Sequence, residues 1–133
     1  MGETLGRALK PGSVVALKGG LGAGKTCLVK GIARGLGITE CITSPTYTII
    51  SEYRAYVEGR PLPFYHIDVY RLSGDADFEN TGGAELIVGN GITVIEWSER
   101  IPRSIPSRAI TVEIIITGPC ERIFRIEGAD LTL

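Results

Sequence analysis

Val14-Val15-Ala16-Leu17-Lys18-Gly19-Gly20-Leu21-Gly22-Ala23-Gly24-Lys25-Thr26-Cys27-Leu28-Val29 is the stretch that decides how this chain folds. It starts with a short β-branched run after Pro11-Gly12, the signature of a buried strand. A glycine-rich loop follows. From Lys25 to Leu36 the apolar residues Leu28, Val29, Ile32, Ala33 and Leu36 then recur at helical spacing, and Gly37 ends the run. Between strand and helix, Gly19 to Thr26 matches G-x-x-x-x-G-K-[ST]. Glycines let the backbone close around phosphates with its N–H groups pointing inward, where a side chain would stand in the way. The helix that follows adds its unpaired N-terminal N–H groups and the positive end of its dipole. Gly20, Leu21, Gly22, Ala23, Gly24, Lys25, Thr26 and Cys27 are therefore the expected nucleotide-binding residues. Lys25 is expected on the β and γ phosphates and the Thr26 hydroxyl on magnesium. A glycine-rich turn with an incidental lysine would show the same letters, but not the strand before them and the periodic helix after.

Working outward, Tyr47 to Val57 and Phe64 to Tyr70 are rich in aromatic and β-branched residues. Glu58-Gly59-Arg60-Pro61 between them is a turn signal, which predicts a hairpin or longer strand pair. Asp75 to Leu86 has weak helical character, broken at Gly82-Gly83, and Ile92 to Ile95 reads as another buried strand. Ala109 to Thr117 and Arg122 to Glu127 predict a last antiparallel pair joined at Gly118-Pro119. The expected fold is α/β: one P-loop NTPase domain over residues 1–133, with a mixed central sheet and more strand than helix.

A P-loop hydrolase also needs a carboxylate at a strand end, to hold the metal or to orient water. Glu96 closes the run Ile92-Thr93-Val94-Ile95 in the manner of a Walker-B strand, although a strand-end Glu is often only the first exposed residue. In Phe64 to Tyr70, the alternation places His66, Asp68 and Tyr70 on one face. Asp68 is either a base or water-positioning group or a partner of Arg71. His66 is expected to be a hydrogen-bonded structural residue, since the chain has no second His to share a metal. Trp97 is core or a stacking surface. Thr43-Ser44-Pro45-Thr46 is either an ordinary loop or a switch-like one, in which Ser44 and Thr46 sense the γ-phosphate. The guanine-reading N-K-x-D motif is missing, which favours ATP over GTP.

Composition narrows the function. The 133 residues suit one domain with one real core, at 44% hydrophobic and 22% charged. Fourteen Lys and Arg against 15 Asp and Glu leave a formal charge of −1, which disfavours a protein that grips nucleic acid alone. No 18-residue apolar run and no charged-then-apolar leader occur, so the expectation is a cytoplasmic protein with no membrane role. Cys27, Cys41 and Cys120 are odd in number and form no CxxC pair, and they are expected to be reduced thiols acting as small buried hydrophobes.

Gly19 to Thr26, Ser44-Pro45-Thr46-Tyr47, His66-Ile67-Asp68-Val69-Tyr70-Arg71-Leu72 and Ile95-Glu96-Trp97 together resemble the bacterial TsaE (YjeE) family, in order and in approximate spacing. The resemblance runs from Leu5-Gly6 to about Arg122, and its second half is more diagnostic than the P-loop. It implies a small Mg-dependent ATPase, slow in isolation, required for threonylcarbamoyladenosine (t6A) modification of tRNAs that read ANN codons. The implied partners are TsaD and TsaB, with tRNA met only through the complex. By the same resemblance, Thr26 and Glu96 hold Mg2+ and Asp68 is essential near the γ-phosphate of ATP. Lys25, Asp68 and Glu96 form the catalytic set, Thr46 lies in the switch-like loop, and Arg122 sits near the nucleotide. The family's Glu-Thr pair, ahead of its first helix, falls on Met1-Gly2, a departure at one wall of the adenine pocket. Two other readings share the P-loop: a small kinase, which needs an acceptor pocket and a lid, and a nucleotide-gated adaptor without significant hydrolysis.

Overall fold

Strand β1 (Val14–Lys18) is covered on both faces, which is why its apolar run shows no polar alternation. The structure is a computed structural model describing residues 2–19, 24–42 and 50–128. Its remaining elements are α1 (Gly2–Ala8), α2 (Lys25–Gly35), β2 (Ile50–Val57), β3 (Arg60–Asp68), α3 (Asp75–Asn80), α4 (Gly83–Ile87), β4 (Ile92–Glu96), β5 (Ile110–Gly118) and β6 (Glu121–Glu127). They build one six-stranded sheet in the order β2-β3-β4-β1-β5-β6. The four central strands run parallel, while β2 and β6 add antiparallel edges, so the sheet is mixed as expected.

Each face of the sheet carries its own core. On one side Val15, Leu17, Ile92, Val94, Val112 and Ile114 meet Leu28, Val29 and Ile32 of α2 and Leu5 of α1. On the other, Val14, Ile67 and Ile95 meet Phe78 of α3, Ile87 of α4 and Ile101. The alternation of β1 between the two clusters is the period-2 rule at work.

Gly82 adopts φ +81 and divides α3 from α4, where the weak helical pattern predicted a break. The hairpin β2–β3 turns at Glu58-Gly59, both at positive φ. For Tyr47 to Val57, the described part is a strand from Ile50, and residues 43–49 lie outside the described residues.

α1 packs unusually close to α2. A Cβ on Gly6 would stand 2.4 Å from the Ile32 carbonyl oxygen, and one on Gly35 2.4 Å from that of Glu3. Gly2 and Gly31 approach each other in the same way. The pairs Gly2/Gly6 and Gly31/Gly35 are each four residues apart, so each lines one helix face, and backbone meets backbone between them.

One expectation is overturned. Cys27, Cys41 and Cys120 are all exposed. Cys27 lies on the α2 face opposite the one filled by Leu28, Val29 and Ile32, Cys41 lies in the loop after α2, and Cys120 in the β5–β6 turn. Cysteine's general preference for burial yields here to position, because turn and outward-facing sites have no core to enter.

Candidate functional site

The functional side chains gather where β1, β3 and β4 end, beside the N-terminus of α2. In an α/β sheet this carboxyl edge is where ligands bind, because the helices that follow the strands present free N–H groups there. Parallel pairing sets Asp68 of β3 opposite Glu96 of β4, and Glu96 opposite Leu17 of β1. Gly24 takes the left-handed conformation (φ +97) that begins α2, and Lys25 and Thr26 open its first turn. Gly20, Leu21, Gly22 and Ala23 lie outside the described residues, as do Ser44 and Thr46.

Glu96 is nearly sealed, its side chain 4% exposed. One oxygen, Oε2, lies 2.5 Å from Nε2 of the fully buried His66. Nδ1 of that ring is buried without a partner. A buried N–H left without an acceptor costs more than an idle lone pair, so the arrangement favours the neutral tautomer that donates from Nε2. His66 is thus the hydrogen-bonded structural residue expected, and its bond holds one Glu96 oxygen in place.

Asp68 is half-buried, and its Oδ1 accepts the Tyr70 backbone N–H at 2.9 Å. Burial raises its carboxyl above the ordinary 3.8, and repulsion from Glu96 adds to the rise. The Tyr70 hydrogen bond and the positive charge of Lys25 pull the other way. Its neighbours of consequence are these groups, with no ion pair to Arg71 among the described residues. Tyr70 falls beyond the end of β3, so of the three residues expected on one strand face only His66 and Asp68 share it within the strand.

Lys25 is buried, and its ammonium donates to the Gly19 carbonyl while lying 3.9 Å from the Trp97 ring centroid. Burial lowers its affinity for the proton, opposed by the charges of Glu96, Glu99 and Asp68. Trp97 is held at φ +62, a costly conformation for a bulky aromatic residue. Ser98 pins the segment by donating its hydroxyl to the Leu17 carbonyl at 3.1 Å. Tyr70 meets Trp97 with ring centroids 4.7 Å apart and planes tilted by 47°, and the Arg100 guanidinium lies 4.9 Å from the Tyr70 centroid. Trp97 is therefore packed against the core while its ring faces the Lys25 ammonium. Its involvement with Lys25 was invisible in the sequence, beyond its place next to Glu96.

Arg122 is anchored in the β5–β6 hairpin, donating to the carbonyls of Gly118 at 3.1 Å and Glu121 at 2.9 Å. With Gly2, Gly24, Cys27, Cys120 and Phe124 it lines a cavity of about 380 Å³ at the start of α2. The hairpin thus reaches the phosphate-loop helix. Gly2 falls at the position the resemblance set against one wall of the adenine pocket, whereas Cys120 and Phe124 were not foreseen as site residues, and nothing in their spacing singles them out.

Asp68 and Glu96 face each other on adjacent strands as hard oxygen donors, Thr26 carries a hydroxyl in the first turn of α2, and the repulsion between the two carboxylates is of the kind that positive charge relieves. Among the described residues no three His, Cys, Asp or Glu side chains form a metal cage.

The mixed sheet, the G-K-T helix start and the strand-end carboxylates define a P-loop NTPase fold. The family described as "Threonylcarbamoyl adenosine biosynthesis protein TsaE" matches residues 1–123, and the chain belongs to that family. It is similar to the tRNA threonylcarbamoyladenosine biosynthesis protein TsaE of Treponema pallidum (strain Nichols), 50% identical over 121 residues that cover 91% of this chain and 86% of the other. The protein of the same description from Bacillus subtilis (strain 168) is 44% identical over 113 residues, 85% of this chain and 68% of the other. The crystal structure of Bacillus subtilis YdiB superposes with a TM-score of 0.75 at 37% identity, covering 94% of this chain and 74% of that one. Among the described residues no helix is long and apolar enough to cross a membrane.

Proposed function

We propose that this protein binds ATP with Mg2+ and hydrolyses it, and that the cycle serves t6A modification of tRNA together with TsaD and TsaB in the cytoplasm. The observation that carries the reading is the convergence of Lys25, Asp68 and Glu96 on one sheet edge at the N-terminus of α2. Lys25 and the α2 N-terminus would neutralise charge on the phosphates, including what builds up as water attacks in line. Lys25 must leave its place on the Gly19 carbonyl and the Trp97 ring to do so. With one oxygen held by His66, Glu96 would hold the metal together with Thr26. When bound, Mg2+ supplies further charge neutralisation and orients the phosphates. The raised proton affinity of Asp68 suits a group that positions or accepts a proton from the attacking water. The near-neutral charge favours contact with tRNA only within the larger assembly.

Phosphate release from ATP and Mg2+, measured with and without TsaD and TsaB, tests the proposal. Hydrolysis is expected to rise with the partners and to vanish in Glu96→Ala. Tight ATP binding with no hydrolysis under any condition would refute the ATPase cycle and leave the nucleotide-gated adaptor.

A further inference from the structure

Two of the three cysteines open onto the same space. Cys27 immediately follows Lys25-Thr26 in the first turn of α2, and Cys120 sits in the β5–β6 turn. Both are exposed, and both line the cavity of about 380 Å³ that also contains Gly24 and Arg122. Cys41 is exposed as well but does not line it. A thiol sealed in a core is inert, whereas an accessible one can attack an incoming disulfide.

We propose that Cys27 and Cys120 form a thiol modification site in the nucleotide cavity, where a mixed disulfide with a low-molecular-weight disulfide and bound nucleotide exclude one another. The proposal rests on the nucleotide-binding reading above. The cavity is lined by Gly24 and Cys27, which flank Lys25 and Thr26 at the start of α2, so a peptide-sized adduct on either sulfur fills the space that the nucleotide-binding reading gives to nucleotide. In the step itself the cysteine gives its proton to solvent and its thiolate attacks one sulfur of the reagent. The reagent's S–S bond breaks as the new one forms, and its other half leaves as a thiolate. The cysteine is oxidised, the reagent reduced, and no further co-reactant is required.

Oxidised glutathione is the probe, applied to the Cys41→Ser protein so that the pair supplies all its thiols. Site-resolved peptide mass spectrometry follows labelling with and without ATP and Mg2+, and calorimetry measures ATP binding before labelling, after it, and after reduction with dithiothreitol. With ATP at about ten times its Kd, labelling of Cys27 and Cys120 should slow about tenfold, because only the empty cavity reacts. The labelled protein should bind ATP at least about tenfold more weakly and recover on reduction. Equal labelling rates in a protein that calorimetry shows to bind ATP would overturn the proposal, as would failure of either cysteine to react. If the unlabelled protein binds no ATP, the functional reading itself fails and this proposal falls with it.

Discussion

Gly6→Ala sets two known effects against each other at one position. In the middle of a helix, alanine is favoured over glycine by up to about 1 kcal/mol. At Gly6, however, the new Cβ would stand 2.4 Å from the Ile32 carbonyl oxygen and 3.1 Å from the Cα behind it. Both obstacles are backbone, so no rotamer change relieves them. To reach the 3.4 Å of ordinary contact, α1 must retreat from α2 by about 1 Å. Overpacking of this kind costs about 1–3 kcal/mol, more than the propensity gain returns. The expected net loss is about 1–2 kcal/mol, or a Tm lowered by roughly 4–8 °C for a chain of this length. Thermal unfolding followed by circular dichroism measures it, with exposed Thr4→Ala on the same helix as the comparison. That substitution gains helix propensity without a clash and should leave Tm unchanged or slightly raised. ATP affinity should fall in Gly6→Ala too, since α1 carries Gly2 to the wall of the cavity. A Tm equal to or above wild type would refute the claim that the glycine contact sets the spacing of the helices.

His66→Ala should destabilise the fold by about 2–4 kcal/mol in urea titrations, because it opens a cavity and strands a buried Glu96 oxygen, while His66→Gln should recover part of the loss. Asp68→Asn should modestly stabilise the unliganded protein at pH 7, read as a raised Tm, while abolishing hydrolysis, since the amide keeps an acceptor for Tyr70 and removes a charge disfavoured by burial and by Glu96. The sign with pH follows from the raised folded-state value. Ionised Asp68 costs the fold stability above that value, and below 3.8 both states are protonated, so the Tm gap between Asp68→Asn and wild type should close as pH falls towards 4. Lys25→Ala should lower kcat by about 10²–10³-fold, as loss of one charge-stabilising donor does; steady-state phosphate release reads this, and unchanged turnover would remove Lys25 from the mechanism.

Local sequence sufficed wherever a structural decision is local. The strand and helix on either side of the glycine run carry their own instructions in β-branching and period, and the structure follows them in β1 and in α2. The break at Gly82 and the turn at Glu58-Gly59 were legible for the same reason. Glu96 could be picked out because it ends an apolar run, and Asp68 because it alternates with His66. The seam between α1 and α2 was also written in the chain, as Gly2/Gly6 and Gly31/Gly35 at one-turn spacing, but two such pairs become informative only once they face each other.

What the sequence by itself determined, then, is most of the elements from β1 onward, the G-x-x-x-x-G-K-T pattern between β1 and α2, and the two strand-end carboxylates. Tertiary structure alone decided that β4 inserts between β3 and β1, and that insertion brings Asp68 level with Glu96 and His66 within hydrogen-bonding distance of it. It also put Trp97 beneath the Lys25 ammonium and carried the β5–β6 turn, with Cys120 and Arg122, to the mouth of α2. Strand order and register are long-range choices, settled by which apolar faces can be buried together, and no window of neighbouring residues contains that information.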